Sequence, residues 1–141
     1  MDVRTIEHTA DVGFEIIAES LAEVFAGAAA GLIRVMFEGD LPDRGEKRRR
    51  LELSGPDLET LLVRWLDELA YRVQTRGEVP VRTQVGVEPS EEGYRLEAEL
   101  ALVPFAHLAD RVAGEVKAAT YHGLRIEQED GHWRARVILD V

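Results

Sequence analysis

Cysteine is absent from this chain of 141 residues, and lysine is scarce. Without cysteine there is no disulfide framework and no thiolate chemistry. Lys47 and Lys117 are the only lysines among 17 basic residues. Where arginine is the usual cation, a lysine can be required as a point charge or a proton donor. Chance placement explains a lysine equally well, so composition leaves both interpretations open.

Long hydrophobic runs are also missing. No apolar stretch is long enough to span a bilayer, and the first residues, Met1 to Thr5, lack a signal-peptide pattern. We therefore expect a cytoplasmic protein without membrane contact. Hydrophobic residues make up 45% and charged residues 31% of the chain, as in globular proteins. The length predicts a single domain over residues 1–141 with its own core.

Positive charge is in deficit, since the formal net charge is -10. A phosphate backbone would be repelled over most of the surface of such a protein. Tight, unaided nucleic-acid binding is therefore excluded as a leading function. Divalent cations, or a partner protein with a basic surface, are compatible with the charge.

Two helices are predicted from their start signals and periodicity. Ser20 and Glu23 match a capping box, and apolar residues then recur at helical spacing to about Met36. The second helix opens at residues 54–57, where proline and an acid suit the first turn, and ends near Gly77. Its Trp65 is interpreted as a core residue, and its neighbouring Asp67 and Glu68 as a solvated face.

Alternating apolar residues predict the strands, in ranges 12–18, 47–53, 81–87 and 94–102. Residues 47–50 are all basic, which is compatible with a ligand or RNA patch. The favoured interpretation is a solvated edge strand whose charges block edge-to-edge pairing. Residues 104–115 break the pattern and are expected to be irregular, with one short helical turn.

A closing β-hairpin is predicted within residues 116–141. Asp130 and Gly131 form a two-residue turn signal, because a type I′ turn needs positive φ at both central positions. With the preceding elements, the order predicts an α+β fold of two layers. In it, two helices pack on one face of a mainly antiparallel or mixed sheet.

Motifs for several chemistries are lacking, since there is no glycine-rich phosphate loop and no His-Glu-x-x-His pair. The candidate site residues that remain are mostly acidic. Asp11 lies at the entry to the first strand, and Asp140 at the end of the last. If these strands are neighbours, both carboxylates and the terminal carboxylate of Val141 converge. Such oxygen ligands suit Ca²⁺ or Mg²⁺.

The histidines and Lys117 each have two interpretations. His8 is a candidate metal ligand or general base, but a loop histidine near an aspartate is more often structural. Lys117 is a candidate phosphate ligand or an ordinary strand-edge lysine. His122 is most simply a hydrogen-bonded strand residue. His107 and His132 are interpreted as surface residues.

Four segments together resemble the archease family. They are His8 to Gly13, the Leu62–Leu69 part of the second helix, Val116 to His122, and Val137 to Val141. The resemblance extends over nearly the whole chain in the right order. It implies an archease-like fold and a protein that is not itself an enzyme.

The resemblance implies an accessory role to the GTP-dependent tRNA-splicing ligase. That ligase joins RNA ends bearing a 2′,3′-cyclic phosphate or 3′-phosphate to a 5′-hydroxyl, after placing GMP on its own histidine. Archeases promote this guanylylation and allow repeated turnover, and a chaperone-like character is also implied. GTP and RNA would then be met only through the ligase.

Carried over by motif, the resemblance implies Asp11, Asp140 and Val141 as ligands of a divalent metal, Ca²⁺ or Mg²⁺/Mn²⁺, with no organic cofactor. It implies Lys117 as a functional residue near that site, with His8 beside it. The alternatives are a metal-dependent phosphoester hydrolase, for which His8 is the available base, and a general chaperone-like protein. A general RNA chaperone fits the acidic charge poorly.

Overall fold

Six strands and two α-helices follow one another in residues 11–141, the part of the chain that the computed structural model describes. The strands and α-helices are β1 (Asp11–Ala18), α1 (Leu21–Met36), β2 (Lys47–Gly55), α2 (Leu58–Arg76), β3 (Glu78–Ser90), β4 (Gly93–Pro104), β5 (Ala118–Glu129) and β6 (His132–Asp140). A 3₁₀ helix, Phe105–Arg111, lies in the segment predicted to be irregular.

The strands form two antiparallel three-stranded sheets. The first has the order β1-β6-β5 and the second the order β2-β4-β3. The predicted α+β class with antiparallel strands is confirmed, but the strands divide into two sheets where one was expected. Alternation reveals which face of a strand is buried, whereas it does not reveal which strands pair.

Helix α1 has the predicted bounds. The Ser20 hydroxyl accepts the Glu23 backbone N–H at 3.2 Å, and the Glu23 carboxylate accepts the Glu19 N–H at 3.2 Å. The first bond satisfies a backbone donor left free in the first turn of the helix, and the second ties the residue before the cap to that turn. The helix lies directly against β1, since a Cβ added at Gly31 would be 2.5 Å from the Phe14 ring.

Helix α2 begins after Asp57 and ends before Gly77, which has the left-handed conformation with φ of 65°. The Asp57 carboxylate accepts the Thr60 N–H at 2.7 Å. Trp65 is fully buried, as predicted, and its indole N–H donates to the Phe25 carbonyl at 2.8 Å. This bond joins α2 to α1 within the core.

The core is formed by the apolar stripes of both helices and the inner faces of both sheets. In β4 and β6 alternate residues are buried, while those between them face outward. The buried strand residues include Leu96, Ala98, Leu100, Leu102, Ala135, Val137 and Leu139. No helix within residues 11–141 is long and apolar enough to cross a membrane.

The cap of α2 makes stability depend on pH. The hydrogen bond from the Thr60 backbone N–H lowers the pKa of Asp57 below its ordinary value. Because the folded pKa is depressed, the cap stabilises fully above the unfolded pKa of about 4, and this is lost as pH falls through the folded value. We expect Asp57→Ala to cost about 1 kcal/mol at pH 7 and less in acid, as measured by urea unfolding. Asp57→Asn should retain the cap without its pH dependence. If Asp57→Ala lowers the free energy of unfolding equally at pH 7 and in acid, this assignment is wrong.

Candidate functional site

The two carboxylates singled out from the sequence lie opposite one another. In the antiparallel pairing of β1 with β6, Asp11 is the partner of Asp140. Directly opposed residues share a face of the sheet, with Cβ atoms about 4.5–5.5 Å apart. This is the outward face, because Val12 and Leu139 belong to the inward one. The condition set by the sequence, that first and last strands be neighbours, is confirmed.

Lys117 lies at the same end of this sheet. Its backbone N–H donates to the Asp140 carbonyl at 2.7 Å, and Ala118 pairs with Asp140 across β5 and β6. The Lys117 side chain is exposed. Val141 follows Asp140 and packs partly against the core. Lys117 is thus hydrogen-bonded to the Asp140 backbone, Asp11 lies opposite Asp140 in the register, and Val141 is next in the chain.

The donor set fits a hard cation. Like charges directly opposed across two strands destabilise the pair, and a cation bound between Asp11 and Asp140 would relieve that repulsion. Neither carboxylate makes an ion pair with another residue in the range 11–141. Within that same range, no three His, Cys, Asp or Glu side chains gather as a metal site. Further ligands would be the terminal carboxylate, backbone oxygens or water.

The histidines divide into one outside the described residues and three within them. His8 lies outside, so its predicted role stays a prediction. The His122 backbone N–H donates to the Thr120 hydroxyl at 3.0 Å, in agreement with a hydrogen-bonded strand residue. His107 is exposed, as predicted, and its ring lies 2.9 Å from the Glu46 carboxylate. His132 is half-buried.

Two side chains of α2 hold the segment that contains Lys117. The Asp67 carboxylate accepts the Ala119 N–H at 2.9 Å, and the Gln74 amide donates to the Val116 carbonyl at 2.7 Å. The two are seven residues apart, which places them on one side of the helix. Asp67 is exposed, as predicted, but it also has a positioning role that the sequence analysis missed.

Removing the Asp67 carboxylate should loosen β5 at its start. Ala119 is buried, so Asp67→Ala leaves its N–H without an acceptor, at a cost of about 1–3 kcal/mol. We expect amide hydrogen exchange to accelerate at Ala119 more than elsewhere in β5. Asp67→Asn retains an acceptor oxygen and should restore most of the protection. Unchanged exchange at Ala119 in Asp67→Ala would contradict the positioning role.

An irregularity in β5 follows this segment. Pairing with β6 is regular to Thr120 and resumes at Arg125, and Tyr121 within the interruption is 58% exposed. Gly123 has φ of 68°, and a Cβ there would lie 2.9 Å from Cδ1 of Ile138. Both the conformation and the close contact favour glycine. The hairpin predicted within residues 116–141 did not include this interruption.

Comparison with known proteins identifies one family. Residues 4–141 match the Archease protein family (MTH1598/TM1083). Protein archease of Methanosarcina mazei is 36% identical over 137 residues, with 96% of this chain and 93% of that protein covered. Protein archease of Pyrococcus abyssi is 37% identical over 139 residues, with 96% and 95% covered.

Solved structures show the same fold. The solution structure of protein 1598 from Methanobacterium thermoautotrophicum has a TM-score of 0.74 and 33% identity, covering 100% of this chain and 96% of that one. The crystal structure of an archease from Thermotoga maritima, described as a possible chaperone, has a TM-score of 0.65 and 22% identity. It covers 100% of this chain and 98% of that one, and at this identity it supports the fold alone.

Proposed function

Because this chain belongs to the archease family, we propose that it activates a GTP-dependent tRNA-splicing ligase. In this role it promotes guanylylation of the ligase and repeated rounds of RNA joining, and it is not an enzyme itself. For this activity, GTP and RNA are met through the ligase. The cytoplasmic location expected from the sequence stays a prediction.

The observation that carries the proposal is the register of β1 with β6. It sets Asp11 opposite Asp140, and Lys117 is hydrogen-bonded to the Asp140 backbone. Carboxylates and an ammonium at one sheet end are the groups that handle a divalent cation and phosphate oxygens. Other proteins use a metal ion and a lysine together to stabilise phosphoryl transfer.

Each residue has a distinct role in the proposal. Asp11, Asp140 and the terminal carboxylate of Val141 hold the cation, which when bound neutralises charge on phosphate oxygens. Lys117 donates from its ammonium to a phosphate of the nucleotide. Asp67 and Gln74 fix the backbone on either side of Lys117 and so orient it. The acidic protein as a whole docks on the basic, phosphate-binding mouth of the ligase, which favours rapid association.

The test is RNA joining by the tRNA-splicing ligase from the same source, with GTP and a divalent metal. We expect the ligase alone to stop after one round and to continue through many rounds when this protein is added at a small fraction of the ligase concentration. The Lys117→Ala variant should lose this stimulation, while the matched control Arg125→Ala, an exposed cation on the same sheet, should retain it.

Two results would contradict the proposal. One is a ligase whose turnover is the same with and without this protein. The other is release of phosphate from phosphoesters by the isolated protein at an enzymatic rate, which would favour the metal-dependent hydrolase instead. Stimulation that appears only with ligase present distinguishes the activator from that alternative.

A further inference from the structure

The second sheet carries a basic pocket that the proposed activator role does not use. Its lining includes Arg44, Arg48 and Arg82, and its volume is about 360 Å³. All three arginines are exposed. In a protein with a net charge of -10, three guanidinium groups around one hollow form a local exception to the acidic surface.

Strand register explains why the hollow exists. Arg48 of β2 and Arg82 of β3 both pair with Ala101 of β4, so the three side chains share the outward face in one row. Ala101, between the two arginines, lines the hollow together with Gly45. The register of β3 shifts between Pro80 and Arg82. Such an irregularity changes the direction of the side chain that follows it, here Arg82.

A loop supplies the third arginine. Gly45 lies directly on β4, since a Cβ there would be 2.6 Å from the Ala101 carbonyl carbon and 2.6 Å from the Leu102 nitrogen. The next residue, Glu46, donates its N–H to the Leu102 carbonyl at 2.7 Å. The loop is therefore pinned to the sheet, and Arg44 is held at the rim of the hollow.

The ion pairs around the pocket leave two of its three guanidinium groups available to a ligand. The pocket also contains the carboxylates of Asp43 and Glu99, and Arg48 is paired with Glu99. Among the residues of the range 11–141, neither Arg44 nor Arg82 makes an ion pair. A phosphate group offers several oxygens to guanidinium donors from different directions, which suits arginines that approach from two strands and a loop.

We propose that the pocket formed by Arg44, Arg48 and Arg82 over Ala101 binds a phosphate group. The phosphate belongs either to a small free phosphate compound or to a single-stranded RNA chain, since both present the same oxygens. The pocket lies on the sheet that does not contain Asp11 and Asp140, so this site is separate from the proposed cation site. It does not depend on the activator role.

The test is isothermal titration calorimetry of the full chain at low salt with inorganic pyrophosphate, and separately with a short single-stranded oligoribonucleotide. We expect saturable binding of at least one probe, weakened about tenfold or more by Arg82→Ala, which removes a charge-assisted hydrogen bond. Arg44→Ala should weaken binding similarly, because it removes the other guanidinium group that makes no ion pair among residues 11–141. Arg125→Ala, on the other sheet, is the charge-matched control and should bind like the unaltered protein.

The outcomes separate the sources and can overturn the proposal. Binding of pyrophosphate assigns the pocket to small phosphates, whereas binding of the oligoribonucleotide alone assigns it to an RNA chain. If neither probe binds, the proposal is overturned. The proposal is also overturned if Arg125→Ala weakens binding as much as Arg82→Ala does, since that would show a general charge effect. Equally tight binding of a short glutamate peptide would overturn it too, because the pocket would then be assigned to acidic polypeptides. Circular dichroism of each variant distinguishes lost binding from lost folding.

Discussion

Replacing Asp140 with alanine is expected to abolish stimulation of the tRNA-splicing ligase while the fold stays intact. The variant removes one of two carboxylates that face each other across β1 and β6. Opposed like charges destabilise a strand pair, so without added cation its free energy of unfolding should be unchanged or slightly higher. Urea unfolding and multiple-turnover ligation, measured on the same preparation, check both parts.

The matched control is Glu15→Gln. Glu15 is a carboxylate on the same outward face of β1 as Asp11, roughly 13 Å along the strand. It lies opposite Arg136 and not opposite another acid. Stimulation should survive in this variant. Ligase turnover that is unimpaired with Asp140→Ala would refute the role assigned to the carboxylate pair.

Added divalent cation provides a readout that does not involve the ligase. A ligand that binds only the folded state stabilises it by about 2.7 kcal/mol when present at a hundredfold excess over its dissociation constant. The midpoint of thermal unfolding should therefore rise with Ca²⁺, Mg²⁺ or Mn²⁺ in the unaltered protein. Asp140→Asn should not show this rise, since the amide retains the shape but not the charge.

Replacing Trp65 with alanine should have the largest effect on stability. The side chain is fully buried, and its indole N–H donates to the Phe25 carbonyl. Truncation leaves a cavity between α1 and α2, at a cost of about 3–5 kcal/mol. We expect a large fall in the urea midpoint and, for a chain of this size, a fall in melting temperature of roughly 10 °C or more.

Trp65→Phe separates the hydrogen bond from the packing. Phenylalanine fills most of the volume but has no N–H, so the loss should be clearly smaller than with alanine. If both variants unfold at the same denaturant concentration, the packing of Trp65 contributes little. In that case the expected cost of a cavity between α1 and α2 would be wrong.

Helix ends were predictable because their signals are local. Ser20, Asp57 and Gly77 mark ends through bonds or backbone angles within a few residues, and the structure places the helix ends beside them. The turn at Asp130 and Gly131 was predictable for the same reason, and both residues have positive φ. These signals depend only on residues that are close in sequence, so they can be identified from one sequence.

Strand partners and contacts between elements were less predictable. Asp67 looks like any surface acid on a helix, and only the packing of α2 beside β5 brings it to the Ala119 N–H. The pocket of Arg44, Arg48 and Arg82 likewise depends on β2 and β3 flanking the same residue of β4. The basic run of 47–50 does form the expected exposed edge strand. The run alone does not indicate that Ala101 separates two arginines.

The pairing of β1 with β6 has a consequence for the order of events during folding. These two strands lie at opposite ends of the described residues, far apart in sequence. Contacts so distant in sequence form late, after the local hairpins of β3 with β4 and β5 with β6. The opposed carboxylates therefore come together late in folding. A partly folded chain that has formed only the local hairpins still lacks the Asp11–Asp140 pair.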